Sequence, residues 1–542
     1  MTGDPSNDYP PAANEDGGRV RSQRWPRNDH LGHRCALTLP PTPGPLAKSF
    51  LNELLNRTVS KAKLPLLPLI LAAVPAALKR ALAQEGIPFQ LETSGPPAGR
   101  FVLYDSARET RCAASSAQVM IDVRRLATEE REDPFEALDD EQSKRHSWRI
   151  GGLDVSEEVA RVDKHALRRR ILARLRATLE AEGGVWLRVG AFPFPYRSAF
   201  NYRIDYDDYD PADFHAMLDA MRGREGSFSH YVCGASYESQ PDALDRLRGR
   251  DVGSHGYWRH TYLDATENLR NVRRGIDVLR AAGIEPIGFA APHGRYNRGL
   301  NSALAVLGVT HSSEFGLAYD DVPFFPSGSD VLQIPFHPIG LGIFLDAASQ
   351  TRTQGIPTEM AAADIASAHF QRIVHAKYQA GEPIFLYGHP TRRLGRYPHV
   401  VGDVFRVVSD FAALWHTTLA EFARWWRARA EVSLRVVRED RQIVCHVLRQ
   451  PAGYRCAIEF FRGEHVAPMP LDDAVIRFTP EALAYQARRP QAMLRPVRVD
   501  RPEGLRGSVL RYFDWERVTP VDEINAGWWR GWVKRTLRRI QK

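Results

Sequence analysis

The chain has 542 residues, of which 43% are apolar and 25% charged, and its formal net charge is +8. This composition is typical of folded proteins and excludes collagen-like and disordered chains, while the length predicts three or four folded units. The five cysteines, Cys35, Cys112, Cys233, Cys445 and Cys456, lie far apart, which excludes a disulfide framework and a zinc site of paired cysteines.

Residues 1–45 are rich in Pro, Gly and charge and show no hydrophobic periodicity, which predicts a disordered N-terminus. They lack the basic and apolar regions of a secretory signal, and no apolar stretch reaches the roughly 20 residues that span a bilayer. We therefore expect a cytoplasmic protein. Residues 46–190 are predicted to be mainly helical, because segments such as "VDKHALRRRILARLRATLEAE" place apolar residues at helical spacing.

In residues 191–430, short apolar runs alternate with helical patterns. "AFNYRID", "DVGSH" and "PIFLYGH" are among the predicted strands, and "ATENLRNVRRGIDVLRAAG" is among the predicted helices. This alternation predicts an α/β fold with parallel strands, as a sheet or a barrel. The polar residues at or just after the ends of the predicted strands are Asp205, His255, His293, Glu314, His337 and His389. In a parallel barrel these ends open onto one face, so we expect the six side chains to converge there.

Residues 431–525 contain runs such as "QIVCHVL" and "CAIEFF", which predict a small β-rich accessory domain. Residues 526–542 predict a basic amphipathic helix with Trp529, Trp532 and Val533 on one side. Two interpretations stay open: a helix on an anionic membrane surface, or a helix docked on the protein itself through its tryptophans. No recognisable nucleic-acid-binding module accompanies the charge, so we expect no nucleic-acid partner.

Two polar clusters carry the candidate chemistry. The strand in "FNYRIDYDDYD" ends in Asp205, Asp207 and Asp208, which repel one another unless a cation or a solvated loop relieves the repulsion. The strand in "DVGSH" leads into His255 and, five positions later, His260. An isolated histidine pair is more commonly structural. Joined to an aspartate cluster on the same α/β pattern, it favours a divalent metal with an open position for water.

Four segments in this order, "RIDYDD", "SHGYWRH", "GFAAPHG" and "PIFLYGHP", resemble the successive motifs of the polysaccharide deacetylase family (NodB homology, carbohydrate esterase 4). The resemblance covers residues 191–430. It implies a distorted (β/α) barrel and a divalent metal, for which we expect Zn²⁺, held by one Asp and two His. It also implies removal of acetyl groups from N-acetylated saccharides.

The resemblance implies roles for individual residues. Asp205 is the expected catalytic base and Asp207 the expected metal ligand. The alternative, with Asp207 as base and Asp208 as ligand, is less favoured, because Asp205 and Asp207 point to the same side of an extended chain. His255 and His260 complete the ligand set that the resemblance implies.

His389, which follows the predicted strand in "PIFLYGHP", is the general acid that the resemblance implies. In the implied reaction, Asp205 deprotonates a metal-bound water that attacks the acetamide carbonyl, and His389 protonates the departing amine.

The sequence departs from the family pattern at three motifs, the first of which lacks its Gly. The family's histidines stand four positions apart, whereas the fourth position after His255 is Arg259 and the histidine follows at His260. On a regular helical turn, one extra residue would rotate the second imidazole by about 100°. Ala290 stands where the family has an Arg, and we expect Arg295 to supply that charge to the catalytic site.

Tyr257, His293 and Glu314 are the predicted substrate contacts, with His293 in the place of a family aromatic. We therefore expect a metal-dependent hydrolase that cleaves a non-peptide C–N bond in an acetylated saccharide. The alternatives are a metal-free barrel of the same type that binds glycans or acts as a scaffold, and a protein peripheral to the inner face of the membrane.

Overall fold

The computed structural model of the chain describes residues 64–92, 99–108, 117–127, 133–139, 143–160, 164–316, 322–350, 358–489 and 495–499, together with residues 509, 532, 533 and 536. The segment predicted to be disordered, 1–45, lies outside them, as does nearly all of the predicted basic helix 526–542. Within the described ranges, each helix is too short or too polar to cross a membrane. The cytoplasmic location and the membrane contact stay predictions.

The N-terminal region contains strands as well as helices. Its strands are β1 (Leu69–Ala72), β2 (Phe89–Leu91), β3 (Phe101–Tyr104), β4 (Val119–Asp122), β5 (Lys144–Ile150), β6 (Leu153–Val159) and β7 (Leu187–Val189). Its helices are α1 (Ala76–Glu85), α2 (Pro134–Asp139) and α3 (Lys164–Ala181), with a 3-10 turn at Val123–Ala127. The first four strands form a parallel sheet in the order β2, β1, β3, β4, and β5 and β6 form an antiparallel hairpin.

The expectation of a mainly helical N-terminal region needs correction for the residues that the structure describes. Strands β1 to β4 have only three or four residues each, and most residues of β1 and β3 are buried. Runs this short and this buried show no alternation of polar and apolar residues, so periodicity does not separate them from pieces of helix.

The second part is a barrel of parallel strands. They are β8 (Ser198–Tyr206), β9 (Phe228–Val232), β10 (Val252–Ser254), β11 (Gly288–Ala290), β12 (His311–Ser313), β13 (Leu332–Gln333), β14 (Ile384–Gly388) and β15 (Leu414–His416). Their order is β13, β12, β11, β10, β9, β8, β14, and β15 pairs with the start of β8. Beyond β13, the His337 amide donates to the Phe385 carbonyl of β14 at 2.9 Å, which links the two ends of the sheet.

Strand β8 shows how polar groups enter the barrel. All of its residues are buried, among them the polar Asn201, Arg203 and Asp205. These three alternate along the strand and therefore share one face. That face looks into the barrel, because the Asn201 amide reaches Ser229 of β9 and Arg203 reaches the Ser313 carbonyl of β12.

Helices connect the strands and cover the sheet. They are α4 (Pro211–Met221), α5 (Gly234–Tyr237), α6 (Pro241–Leu247), α7 (Ala265–Ala281), α8 (Arg298–Val306), α9 (Leu341–Gln350), α10 (Glu359–Ala380), α11 (His399–Val408) and α12 (Leu419–Arg429). Shorter turns are Glu225–Ser227, Pro292–Gly294 and Pro390–Leu394. Five of these helices begin at a residue whose side chain accepts a hydrogen bond from a first-turn amide. These residues are Asp210, Asp264, Asn297, Thr358 and Thr418.

The C-terminal part is rich in β-structure. Its strands are β16 (Ser433–Glu439), β17 (Gln442–Arg449), β18 (Ala457–Arg462), β19 (His465–Pro470), β20 (Val475–Phe478), β21 (Gln486–Ala487) and β22 (Arg498–Val499), with a 3-10 turn at Pro480–Ala482. Strands β16, β17 and β20 form one antiparallel sheet, while β18 pairs with β7 and β22 with β5. The α/β class, the distorted barrel and the β-rich C-terminal part are thus confirmed.

Candidate active site

The candidate site is a cavity of about 290 Å³ at the carboxyl ends of the barrel strands. Asp205 is the penultimate residue of β8, His255 follows β10 and His389 follows β14. These residues line the cavity together with Asp207 and His293. The expectation that six polar strand ends converge is thus met by Asp205, His255, His293 and His389, since the ends of parallel strands share one face of the barrel, whereas Glu314 and His337 are absent from the described lining.

Asp205 is held by an arginine of its own strand. Arg203 Nη2 lies 2.5 Å from Asp205 Oδ2, and both side chains are almost fully buried. The same guanidinium donates to the Ser313 carbonyl at 2.6 Å and lies over the Phe336 ring at 3.7 Å. The other carboxylate oxygen, Asp205 Oδ1, has no hydrogen-bond partner among the described residues. The site therefore holds a buried carboxylate with one paired and one available oxygen.

Asp207 is the centre of a second cluster. His255 Nε2 lies 3.1 Å from Asp207 Oδ1, and His389 Nε2 lies 3.2 Å from Oδ2. Arg259 Nη2 also approaches Oδ2, at 2.9 Å. Burial alone would raise the pKa of the Asp207 carboxyl, but the interaction with His389 and the hydrogen bond from His255 hold it well below its usual value. Asp207 is thus a carboxylate at neutral pH.

The orientation of His389 follows from its second contact. Arg393 Nη1 lies 3.0 Å from His389 Nδ1. Because a guanidinium has only donors, Nδ1 accepts in this contact and the ring carries its proton on Nε2. That proton faces Asp207 Oδ2.

Two of the three metal ligands that the resemblance implies lie next to each other. The separation of 3.1 Å between His255 Nε2 and Asp207 Oδ1 is near the roughly 3.3 Å between two ligand atoms of a tetrahedral zinc. His260, however, is absent from the residues that line the cavity, and its ring lies edge-on to Tyr262, with ring centroids 4.8 Å apart. The fourth position after His255 is occupied by Arg259 instead. Its guanidinium contacts the Asp207 carboxylate and has no lone pair with which to bind a metal.

In the part of the chain that the structure describes, no group of three or more His, Cys, Asp or Glu side chains has the arrangement of a metal site. The donor set at Asp207 therefore does not fit the divalent ion that the resemblance implies.

His293 and Arg295 lie in the turn after β11. His293 lines the cavity and has a left-handed backbone, with φ of 58°. Burial and the nearby Arg259 and Arg295 lower the pKa of His293 to about 4, so its ring is neutral at pH 7. Arg295 is not among the described residues that line the cavity, and the guanidinium on the expected base comes from Arg203.

The two other predicted substrate contacts lie outside the cavity lining. The Tyr257 hydroxyl donates to Glu238 Oε2 at 2.6 Å and accepts from Arg274 at 2.7 Å. Glu314 is fully buried and accepts a hydrogen bond from the Ser312 hydroxyl. Burial raises the pKa of the Glu314 carboxyl to about 8. Their predicted contact with substrate is not supported by these positions.

Sequence reasoning missed four charged residues that line the cavity: Glu157, Arg203, Asp346 and Arg393. The sequence contained a sign of Arg203, because this cation stands two positions before Asp205 in a strand that is otherwise mostly apolar. Arg393 lies four positions after His389, in the irregular turn Pro390–Leu394, where spacing does not fix direction. Glu157 belongs to β6, outside the motif region, and burial raises its pKa to about 7.

Comparison with known proteins agrees with this fold. Residues 202–312 match the family model described as polysaccharide deacetylase, which confirms the resemblance of this segment to a family of hydrolases acting on non-peptide C–N bonds. No curated protein matches the chain.

Three solved structures illustrate the likeness. A Mycobacterium smegmatis protein assigned as a polysaccharide deacetylase has 18% identity and a TM-score of 0.37, over 46% of this chain and 96% of that one. The peptidoglycan deacetylase PdaC from Bacillus subtilis has 16% identity and a TM-score of 0.29, over 42% and 92%. BA3943 from Bacillus anthracis, a family 4 pseudoenzyme, has 11% identity and a TM-score of 0.29, over 42% and 65%.

Proposed function

We propose that the cavity binds an acetylated saccharide and hydrolyses its acetamide bond, with acetate and a free amine as products. The observation that carries the proposal is the convergence of Asp205, Asp207, His255 and His389 around one cavity. At about 290 Å³ the cavity is at the small end of ligand pockets, a size that suits one sugar unit with its acetyl group.

Asp205 is the proposed base. Its Oδ2 is paired with Arg203, and its Oδ1 is available to accept a proton. A water that gives this proton to Oδ1 forms a C–O bond to the acyl carbon, while the carbonyl electrons move onto the acyl oxygen. When the carbonyl re-forms, the C–N bond breaks and the nitrogen takes up a proton.

Glu157 is the proposed donor of that proton, because it lines the cavity and a carboxyl with a pKa of about 7 is partly protonated at neutral pH. His389, the donor that the resemblance implies, would first have to take up a second proton on Nδ1, because loss of the Nε2 proton from a neutral ring would leave an imidazolate. In either case the proton taken up by Asp205 balances the one given to the amine, so the site returns to its starting charge.

The expected zinc ion stays outside these steps, because Asp207 and His255 lack the third ligand expected at His260. The metal-free alternative from the sequence, a barrel that binds glycans without hydrolysis, is favoured by one observation. Arg259 contacts the carboxylate that the resemblance assigns to the metal.

The test is acetate release from soluble chitin oligosaccharides by the full chain. We expect Asp205→Asn to lower the rate by at least about 100-fold, because the base is lost. Asp208→Asn is the matched control: Asp208 is the exposed carboxylate of the alternative motif assignment and does not belong to the cavity lining among the described residues. We expect this variant to keep its rate. Absence of acetate release by the unmodified chain, or equal rates for it and Asp205→Asn, would refute the proposal.

A further inference from the structure

The Asp207 carboxylate already has two nitrogen partners from the protein on Oδ2, and a third lies beside Oδ1, which accepts no hydrogen bond from the described residues. His255 approaches Oδ1, while His389 and Arg259 approach Oδ2 at 3.2 and 2.9 Å. The side chain of Asp207 is only 8% exposed, so water contributes little to balancing its charge. Arg259 is the partner that is charged at every physiological pH.

The loop that carries Arg259 is held in one conformation by Asn271 of α7. The Asn271 side-chain oxygen accepts from the Tyr257 and Trp258 amides at 3.0 and 2.8 Å, and its amide nitrogen donates to the His260 carbonyl at 3.0 Å. In addition, the His260 amide donates to the Trp258 carbonyl at 2.6 Å, which closes a tight turn. Arg259 is the residue that this turn directs at Asp207.

Bringing His260 to Asp207 requires this turn to open. The chain after this turn is fixed as well. The Asn268 side chain accepts a hydrogen bond from the Tyr262 amide at 2.8 Å and donates one to the Tyr262 carbonyl at 2.6 Å. Asn268 and Asn271 are both buried, so hydrogen bonds lost on opening would leave buried polar groups unpaired. The loop therefore favours a guanidinium over a second imidazole at the carboxylate.

We propose that Arg259 takes the place of the divalent cation at Asp207, so that the site is built to work without a bound metal. The guanidinium supplies the positive charge beside the carboxylate and repels a divalent ion from it. Arg259 Nε is buried and has no hydrogen-bond partner among the described residues, which leaves a charged donor for a ligand oxygen. This last point rests on the proposed function: the ligand oxygen is the acyl oxygen, on which negative charge develops.

Metal content tests the proposal independently of activity. The full chain is incubated with zinc, desalted and analysed by mass spectrometry of the metal. We expect substoichiometric zinc in the unmodified chain and about one equivalent in Arg259→His, which places two histidines four positions apart beside Asp207. The double variant Arg259→His with His255→Ala should lose the gained zinc.

Arg393→His is the matched control, because it puts a histidine into the same cavity at a position without that spacing. We expect it to stay substoichiometric. About one equivalent of zinc in the unmodified chain, removed by His255→Ala, overturns the proposal, and so does an Arg259→His variant that gains no zinc while keeping its far-ultraviolet circular dichroism.

Acetate release in the presence of a chelator separates this proposal from the proposed function. Release that persists with the chelator supports both. Release that the chelator abolishes and added zinc restores overturns the metal-free site and leaves the hydrolase intact. A chain with neither zinc nor acetate release refutes the hydrolase, while the zinc measurement still supports Arg259 as the cation.

Discussion

Replacement of Arg203 by methionine isolates the ion pair on the expected catalytic base. Methionine keeps much of the length and the apolar contact with the Phe336 ring, but it removes the charge from Asp205 Oδ2 and the donor from the Ser313 carbonyl. Both members of the pair are 2–3% exposed, so solvent screens the interaction little. Asp205 is then a buried carboxylate without its cation.

The size of the effect follows from that burial. Breaking a buried ion pair from one side costs about 3–5 kcal/mol, because the remaining charge is uncompensated. We expect Arg203→Met to lower the free energy of unfolding by this amount. The double variant with Asp205→Asn removes the stranded charge, so its loss should be smaller than the sum of the single losses, with a coupling energy of at least about 1.5 kcal/mol.

The assay is urea unfolding of the full chain, monitored by tryptophan fluorescence and by circular dichroism. If the two probes report the same transition, the free energies of unfolding can be compared. Arg203→Lys is the control that keeps the charge but loses the forked geometry, and it should fall between the unmodified chain and Arg203→Met. A loss below about 1 kcal/mol for Arg203→Met, or no coupling with Asp205→Asn, would show that the pair does not hold this strand end together.

Two further predictions concern the scaffold. Glu459 is buried between Arg188 and Arg488, so Glu459→Ala should cost about 3–5 kcal/mol in urea unfolding. These arginines lower the pKa of Glu459 from 4.5 to about 2, so its contribution is complete above pH 4.5 and should be lost as the pH falls toward 2, which acid titration of the unmodified chain checks. Gly275→Ala in α7 gains about 1 kcal/mol of helix propensity, but its Cβ would lie 2.7 Å from the Gly256 carbonyl carbon. We therefore expect a lower melting temperature, and an unchanged one would contradict the close approach of helix and loop.

The sequence predicted those features that local chemistry determines. A run of buried residues followed by a polar side chain identified the ends of β8, β10 and β14, and the barrel brought Asp205, His255 and His389 to one cavity. Glu157 was not predictable in this way, because its strand reaches the cavity through the packing of the N-terminal region on the barrel. Contacts between regions that are distant in sequence leave no periodic signal within either region.

The loop after β10 contains a feature that the spacing of residues in the sequence does not predict. Counting four positions from His255 identifies the place that faces Asp207, and the structure has a side chain there, but the side chain is Arg259. The extra residue before His260 is absorbed in a turn held by Asn271, which is sixteen positions after His255 on a helix and so invisible to a local motif. The barrel thus determines which position of the loop faces Asp207, whereas the charge beside Asp207 depends on the residue at that position. If Arg259 replaces the divalent cation as proposed, metal dependence would follow from that one residue, and it would differ between two chains that share every strand of the fold.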